Sequence, residues 1–246
     1  MIVHSENFFT IIWGSAHESL VPAVLKNASQ STLATVLNER FEICLPSNKQ
    51  HYVLPHHVHG NNGLVIHTVD EAEQLEAYTQ SADFSCTAVP EVALAVTAAD
   101  CAPIIMVDTK NRAIAAVHAG WRGTLADVAV HALQTMHTTY GTSMHDVHIF
   151  YGPSMRSCCY KVGQEVVDVL THNNRLPMLT KRDGHNFFDI ITYNKQRARE
   201  MGVPLEQHHT QYASCTYCTP GFCSSRKSNG APDRQLNFVI LSDRGY

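Results

Sequence analysis

Four short segments of this sequence place histidine or cysteine, the side chains that most often hold zinc and related metals in proteins, where they could do chemistry. Three of them carry imidazoles or a thiol beside glycine, proline or acidic residues, and the fourth carries a Cys-x-x-Cys motif followed by Cys223, Arg226 and Lys227. The segments are His56-His57-Val58-His59-Gly60, Thr97-Ala98-Ala99-Asp100-Cys101-Ala102-Pro103, His118-Ala119-Gly120-Trp121-Arg122-Gly123 and Cys215-Thr216-Tyr217-Cys218. With 16 His and 8 Cys in the chain, the pattern points to a bound metal.

Cys101 and His118 fall at the ends of successive apolar runs, so they can meet across neighbouring strands. Such a pair fits a zinc site, a Cys–His nucleophile dyad, or two unrelated core residues. A glycine-containing turn and a helix follow His118, and backbone N–H groups at such a place point towards a bound molecule. The single Cys215-x-x-Cys218 motif lacks the second pair that identifies a zinc ribbon, so we expect buried thiols there.

The elements that must position these residues follow from the apolar pattern. Strands are predicted over Val92–Val96, Pro103–Val107, Ala113–Val117, Val147–Tyr151 and Asn237–Leu241, and their continuous apolar character predicts that both faces are covered. Helical spacing predicts one helix after Gly123 that ends before Gly141, a second that carries Val162, Val166, Val169 and Leu170, and a third from near Asp189 to Gly202-Val203-Pro204. Strands and helices mix without strict alternation, and no repeat or linker divides the chain. The sequence therefore predicts an α+β fold with a mixed sheet, as a single domain over residues 1–246.

Composition excludes several classes of partner. The chain has 18 Lys+Arg against 22 Asp+Glu, a net charge of −4, and no basic stripe that would bind nucleic acid or anionic lipid. Its apolar runs fall far short of the roughly 20 residues that a membrane span requires. The N-terminal residues lack the positive region of a secretory signal, so we expect a cytoplasmic protein whose cysteines are thiols or metal ligands.

The motifs resemble those of the YfiH/laccase-domain family, long named for multicopper polyphenol oxidases. The resemblance covers about residues 52 to 241 and rests on Thr97–Pro103, His118–Gly123, Cys215–Cys218 and the segment Gly152-Pro153-Ser154-Met155-Arg156-Ser157-Cys158-Cys159-Tyr160. It implies mixed β-sheets flanked by helices, in a fold similar to that of cysteine-hydrolase toxins of the CNF type. It also implies a metal, usually zinc with copper as the alternative, bound by His59, Cys101 and His118.

Three departures from the family pattern stand out. The family has Gln-Val-His-Gly where this chain has His57-Val58-His59-Gly60. If this segment is a strand, positions 57 and 59 face the same side, which brings His57 close to the metal or the substrate. The family's N-terminal Ser-Thr-Arg has no counterpart in residues 13–18, and its Phe-Phe-Ser-Tyr-Arg-Arg appears here as Phe222-Cys223-Ser224-Ser225-Arg226-Lys227.

The resemblance leaves three functions to compare. The first, which the resemblance implies, is a zinc-dependent purine nucleoside enzyme that phosphorolyses adenosine, inosine and methylthioadenosine and deaminates adenosine. Three protein ligands fit this function, since they leave the fourth position of a zinc ion open for water. The second is a copper-dependent polyphenol oxidase, which would need many more histidines in His-x-His pairs. The third is a Cys–His hydrolase of peptidoglycan precursors, with Cys101 as nucleophile and His118 as base.

For the first function, the partners are a small nucleoside and phosphate. Arg122 and Arg226 are the predicted phosphate ligands, because a guanidinium group offers a planar fork to an oxyanion. The alternative for Arg122 is an ion pair with Asp100 or Asp127. Asp100 is predicted to carry a proton or to orient the neighbouring metal ligand.

Overall fold

The computed structural model of the chain describes residues 1–6, 8–41 and 51–242. Its helices are α1 (Pro22–Leu25), α2 (Gln30–Phe41), α3 (Val69–Glu73), α4 (Trp121–Leu125), α5 (Val128–Tyr140), α6 (Gln164–His172) and α7 (Ile190–Glu200). Its strands are β1 (Ile2–Glu6), β2 (Phe9–Trp13), β3 (His51–Val53), β4 (Gly63–Ile66), β5 (Phe84–Thr87), β6 (Val92–Ala98), β7 (Ala102–Asp108), β8 (Ala113–Ala119), β9 (Val147–Tyr151), β10 (Lys161–Val162), β11 (Leu179–Arg182), β12 (His185–Phe188), β13 (His208–His209) and β14 (Gln235–Leu241). None of the described helices is both long enough and apolar enough to cross a membrane.

The described strands form two large sheets and a small one. The orders are β1-β2-β14-β6-β3, β13-β9-β7-β8-β5-β4 and β10-β12-β11. The pairs β3–β6, β4–β5 and β9–β13 are parallel and the other pairs are antiparallel, for example β7–β8 and β6–β14. These mixed sheets confirm the predicted α+β class.

Alternating side chains along the central strands explain how the layers pack. Ile105 and Val107 of β7 face a core that they share with Val239 of the other large sheet, so the two sheets lie face to face. Ile104 and Met106, on the opposite side of β7, pack in a second core with residues of α5 and α7. A third core joins α2 to the outer side of β6 and β14. The central strands β6, β7 and β8 are buried at every position, which confirms the prediction of strands covered on both faces.

The five predicted strands are all present, and Val147–Tyr151 has the predicted bounds. The third predicted helix is also confirmed: the Asp189 carboxylate accepts a hydrogen bond from the backbone N–H of Thr192, which caps α7. The single helix predicted after Gly123 is wrong. Asp127 adopts a left-handed conformation with φ of 61°, and this residue divides the segment into α4 and α5.

Candidate metal centre and active site

The three predicted metal ligands come from three separate parts of the fold. His118 lies near the end of β8, Cys101 precedes β7, and His59 lies in the loop between β3 and β4. Strands β7 and β8 are antiparallel neighbours in which Pro103 pairs with His118, so the register brings Cys101 and His118 to the same end of the sheet. One ring nitrogen of each histidine and the Cys101 sulfur all lie within 4.8 Å of one another.

The loop that carries His59 is held by a buried carboxylate. Asp83 accepts hydrogen bonds from the backbone N–H groups of His59 at 2.9 Å and Gly60 at 2.6 Å. His59 itself has φ of 61°, a conformation that no strand residue adopts. The prediction that positions 57 and 59 share one face of a strand is therefore wrong.

Asp83 also orients His118. Its Oδ1 atom lies 3.0 Å from His118 Nδ1, and both side chains are almost fully buried. A carboxylate that accepts the Nδ1 proton leaves Nε2 to face a metal, the arrangement common around metal-binding histidines. Burial alone raises the pKa of Asp83, but the hydrogen bonds from His118, Gly60 and His59 bring it below its ordinary value. No motif marked Asp83 in the sequence.

Cys101 and His118 shift each other's pKa values. Burial raises the pKa of the Cys101 thiol, but the adjacent His118 and His59 rings outweigh this effect and lower the pKa below its usual value. Burial lowers the pKa of His118, whereas the Cys101 thiolate and Asp83 together raise it above its usual value. The pair therefore favours a thiolate beside an imidazolium, and a thiolate is both the form that binds metals and the form that attacks as a nucleophile.

His57 stacks on His118 but has no nitrogen to offer a metal. The two rings are 4.4 Å apart and nearly parallel. Its Nδ1 lies 3.1 Å from the Ala82 carbonyl, to which it donates, and its Nε2 accepts from the Thr97 N–H at 3.3 Å. Burial and the charge of His118 lower the pKa of His57 to about 3, so the ring is neutral. The structure thus makes His57 a packing partner of His118, with both of its ring nitrogens bonded to the backbone.

Gly120 allows the centre to be this compact. A Cβ atom at this position would lie 2.9 Å from the His59 ring and 3.2 Å from the Cys101 sulfur. Gly123, in the next turn, approaches the loop in the same way, because its Cβ would lie 2.7 Å from the Gly60 carbonyl oxygen. Helix α4, which begins directly after Gly120 and contains Gly123, has only 5 residues.

The centre opens into a cavity of about 520 Å³. Polar groups and aromatic or apolar side chains share its wall, as is usual for small-molecule sites. Its lining residues are Pro22, His56, His57, His59, Tyr78, Thr97, Ala98, Ala99, Asp100, Cys101, His118, Met155, Tyr160, Ser225, Arg226 and Arg234.

Of the two predicted phosphate ligands, only Arg226 lines the cavity. Its guanidinium lies 5.1 Å from the centre of the Tyr160 ring, and its Nη1 donates to the Lys161 carbonyl at 2.6 Å. Arg234, which the sequence did not single out, lies in the same wall. Arg122 is exposed on α4 and stacks at 4.4 Å over its neighbour Trp121, so the structure does not support its predicted role.

Two acidic residues, Asp127 and Asp100, have partners other than those predicted from the sequence. Asp127, a predicted partner of Arg122, pairs with Arg197 at 2.7 Å. Asp100 has φ of 87°, and its carboxylate accepts from Thr216 Oγ1 and from the backbone N–H of Arg226, both at 2.8 Å. Asp100 thus connects the loop before Cys101 to two other loops of the cavity.

A sequence model of the multi-copper polyphenol oxidoreductase laccase family matches residues 25–242. The chain belongs to this family. A purine nucleoside phosphorylase of Bacteroides thetaiotaomicron is 31% identical over 197 residues, which are 77% of this chain and 73% of that protein. A protein named adenosine deaminase RL5, from an unknown prokaryotic organism, is 29% identical over 188 residues, 71% of this chain and 69% of its own length.

The fold of this laccase-family chain is also that of a solved structure. Bacillus licheniformis hypothetical protein YfiH superposes with a TM-score of 0.79 at 22% identity, over 95% of this chain and 93% of the other. This likeness confirms the YfiH-like fold. Both of these relatives are named for reactions of nucleosides, whereas the family is named for an oxidoreductase.

The donor set fits a metal centre of the laccase family, but only one with a single ion. Two imidazoles and a thiolate suit zinc and also copper, and the carboxylate on His118 Nδ1 is the expected support. A multicopper oxidase needs further groups of imidazoles. Within residues 1–6, 8–41 and 51–242, two other groups of metal-binding side chains lie close together. One is His57, Asp83 and His118, in which His57 is bonded to the backbone and Asp83 to His118. The other is a cluster of four cysteines.

The expectation of buried thiols at Cys215-x-x-Cys218 is wrong for Cys218, which is exposed. The two residues lie against Cys158 and Cys159, so the second pair that the sequence motif lacked comes from another loop. The adjacent residues Cys158 and Cys159 in the Gly152–Tyr160 segment were the sequence feature that could have indicated a second cysteine pair. Cys44 lies outside the described residues.

Proposed function

We propose that this chain is a zinc-dependent purine nucleoside enzyme that phosphorolyses adenosine, inosine and methylthioadenosine and also deaminates adenosine. The observation that carries the proposal is a three-donor centre in the wall of a cavity that two guanidinium groups also line. The names of the two relatives support the choice of nucleosides over phenols.

His59, Cys101 and His118 would hold the zinc ion. Asp83 keeps the proton of His118 on Nδ1, and thereby leaves Nε2 free to bind. When bound, zinc supplies a Lewis acid that can activate water for deamination. His57 stacks on one face of the His118 ring and so helps to fix its orientation.

The rest of the cavity would bind the nucleoside and phosphate. Tyr160 and Met155 offer buried apolar surface to a purine base. Arg226 and Arg234 would hold phosphate against the ribose, because their planar groups match an oxyanion. Both oxygens of Asp100 already accept hydrogen bonds, so its role would be to position Arg226 and the Cys101 loop, and not to carry a proton.

The test compares the two reactions in the presence and absence of phosphate, with metal-analysed, untagged protein. Without phosphate, adenosine should still yield inosine, because water is the nucleophile, whereas release of free base should require phosphate or arsenate. Base release that is independent of phosphate would show hydrolysis and contradict the phosphorylase. Phenol oxidation faster than nucleoside turnover, with several coppers per chain, would favour the oxidase.

Arg226→Lys and Arg122→Lys form a matched pair for the phosphate site. Arg226→Lys keeps the charge but loses the planar fork, so the KM for phosphate should rise about tenfold or more while deamination changes little. Arg122→Lys should leave both reactions near wild type, because Arg122 does not line the cavity. An unchanged KM for phosphate in Arg226→Lys would remove this residue from the proposal.

A second candidate is a Cys–His hydrolase that acts on peptidoglycan precursors. The observation in its favour is the series Cys101, His118 and Asp83, in which a carboxylate orients a histidine beside a thiolate. A metal on Cys101 would block this attack, so metal removal distinguishes the two functions. Loss of nucleoside turnover with chelation supports the first, and hydrolysis that appears only in metal-free protein supports the second.

A further inference from the structure

A second group of metal-binding side chains lies outside the cavity. The sulfur atoms of Cys158, Cys159, Cys215 and Cys218 all lie within 4.8 Å of one another, and none of these residues lines the cavity among the residues that the structure describes. Cys158 Sγ and Cys218 Sγ are 3.8 Å apart. Four sulfurs bonded to one zinc at about 2.3 Å, at the corners of a tetrahedron, would be about 3.8 Å apart. The Cys158–Cys218 distance therefore matches that of two sulfurs on a shared ion, and all four residues are free thiols.

The backbone holds the two cysteine-bearing turns together without help from the sulfurs. Ser154 forms a parallel bridge with Cys215, through hydrogen bonds from Ser154 N to the Ser214 carbonyl at 3.0 Å and from Thr216 N to the Ser154 carbonyl at 3.1 Å. Arg156 adds a side-chain link, because its Nη1 donates to the Ala213 carbonyl at 2.7 Å and its Nε pairs with Asp189. The four thiols are thus held close together by the surrounding fold.

Hydrogen-bond donors surround part of the cluster. The backbone N–H groups of Arg156, Tyr217 and Cys218 donate to the Cys215 sulfur. The Arg182 guanidinium donates to the Cys158 carbonyl at 2.8 Å and so brings one positive charge close to Cys158. Four thiolates around one divalent ion carry a net charge of −2, which this cation offsets in part.

We propose that Cys158, Cys159, Cys215 and Cys218 bind a second zinc ion in a closed, four-thiolate structural site. A site with four protein ligands has no open position, so this ion is not catalytic. Its position indicates what it stabilises. Tyr160, directly after Cys159, lines the cavity, and Thr216, directly after Cys215, donates to Asp100 beside Cys101. The ion would tie together the two loops that frame one side of the cavity.

The experiment counts zinc per chain in untagged protein that is purified under reducing conditions without chelator. The variant His118→Ala isolates the new site, because it removes a ligand of the cavity centre and leaves all four cysteines. We expect one zinc per chain in His118→Ala and none when Cys218→Ser is added. The matched control is His118→Ala with Cys223→Ser, which removes a buried thiol outside the cluster and should keep its zinc.

Cobalt(II) gives a second measurement on His118→Ala that requires no cysteine variant to fold. We expect the strong thiolate-to-cobalt charge-transfer absorption of a four-sulfur site, which zinc then displaces. If His118→Ala contains no zinc and shows no such absorption with cobalt(II), the proposal is wrong. A Cys158–Cys218 disulfide, detected as two fewer alkylated thiols in protein that is denatured without reductant, would also overturn it. The result is independent of the nucleoside reactions, because it is read from metal content and not from activity.

Discussion

At the scale of single residues, the state of His118 depends on two neighbours that are not metal ligands. Asp83 fixes its Nδ1 proton from within the core, and the His57 ring covers one of its faces. Asp83 also holds the backbone of His59 and Gly60, so one carboxylate positions two of the three donors. This double role makes Asp83 a positioning residue of the centre.

Asp83→Asn should weaken zinc binding without emptying the site. The amide keeps the size of the side chain, but its NH₂ group cannot accept the hydrogen bond from the Gly60 N–H, and it has no charge to support an imidazole donor. Loss of such a partner costs about 10–100-fold in metal affinity. Competition with a chromophoric chelator measures this change, and an affinity equal to wild type would show that Asp83 is only a core residue.

His57→Gln is the matched control for this change. A glutamine amide carries a donor NH₂ group and an acceptor oxygen, so it can donate to the Ala82 carbonyl and accept from the Thr97 N–H as His57 does. It is also the residue that the family pattern has at this position. Zinc affinity should stay within a few-fold of wild type, and an empty site in this variant would reveal His57 as a true ligand.

At the scale of elements, the centre depends on a close approach between the N-terminus of α4 and the His59 loop. Gly120→Ala should push the His59 ring and the Cys101 sulfur away from Gly120, since its Cβ would lie 2.9 and 3.2 Å from them. Overpacking of this kind costs about 1–3 kcal/mol, and where that strain acts on the zinc-bound donors it corresponds to roughly a 5–150-fold loss of zinc affinity. The same chelator competition tests it.

Gly60→Ala is the control for Gly120→Ala. Its Cβ would lie 3.5 Å from Asp83 Oδ2, which is an ordinary contact, so zinc affinity should change little. Equal losses in the two variants would mean that any added methyl group near the loop disturbs the site. The close approach at Gly120 would then have no special role.

The elements also show which features the sequence could predict. Strands β6, β7, β8 and β14 are buried at every position and β9 at all but one, and a local apolar run is enough to identify such a strand. The break between α4 and α5 was missed, because Asp127 is fixed by Arg197 of a distant helix. The sequence analysis also missed the roles of Asp83 and Arg234 and the contact between the two cysteine pairs. Each of these features depends on contacts between segments far apart in the chain.

At the scale of the whole molecule, the first sheet joins the two ends of the described chain. Strand β14, near the C-terminus, lies between β2, near the N-terminus, and β6, whose end leads to Asp100 and Cys101. The core between the large sheets draws residues from both sheets. We therefore propose that residues 1–246 fold as a single domain, in which the metal centre and the core form one cooperative unit.

The single-domain proposal predicts one unfolding transition in calorimetry, with equal calorimetric and van't Hoff enthalpies. Ile105→Ala, in the fully buried core between the sheets, should lower the free energy of unfolding by about 2–5 kcal/mol, since it leaves a cavity where the two sheets meet. The control Leu205→Ala, at a side chain that is 54% exposed, should change it by less than about 0.5 kcal/mol. If the sheets belonged to separate units, Ile105→Ala would split the transition or shift only part of it. A single transition that moves as a whole, and that moves upward when zinc is added, would mean that the centre and the core unfold together.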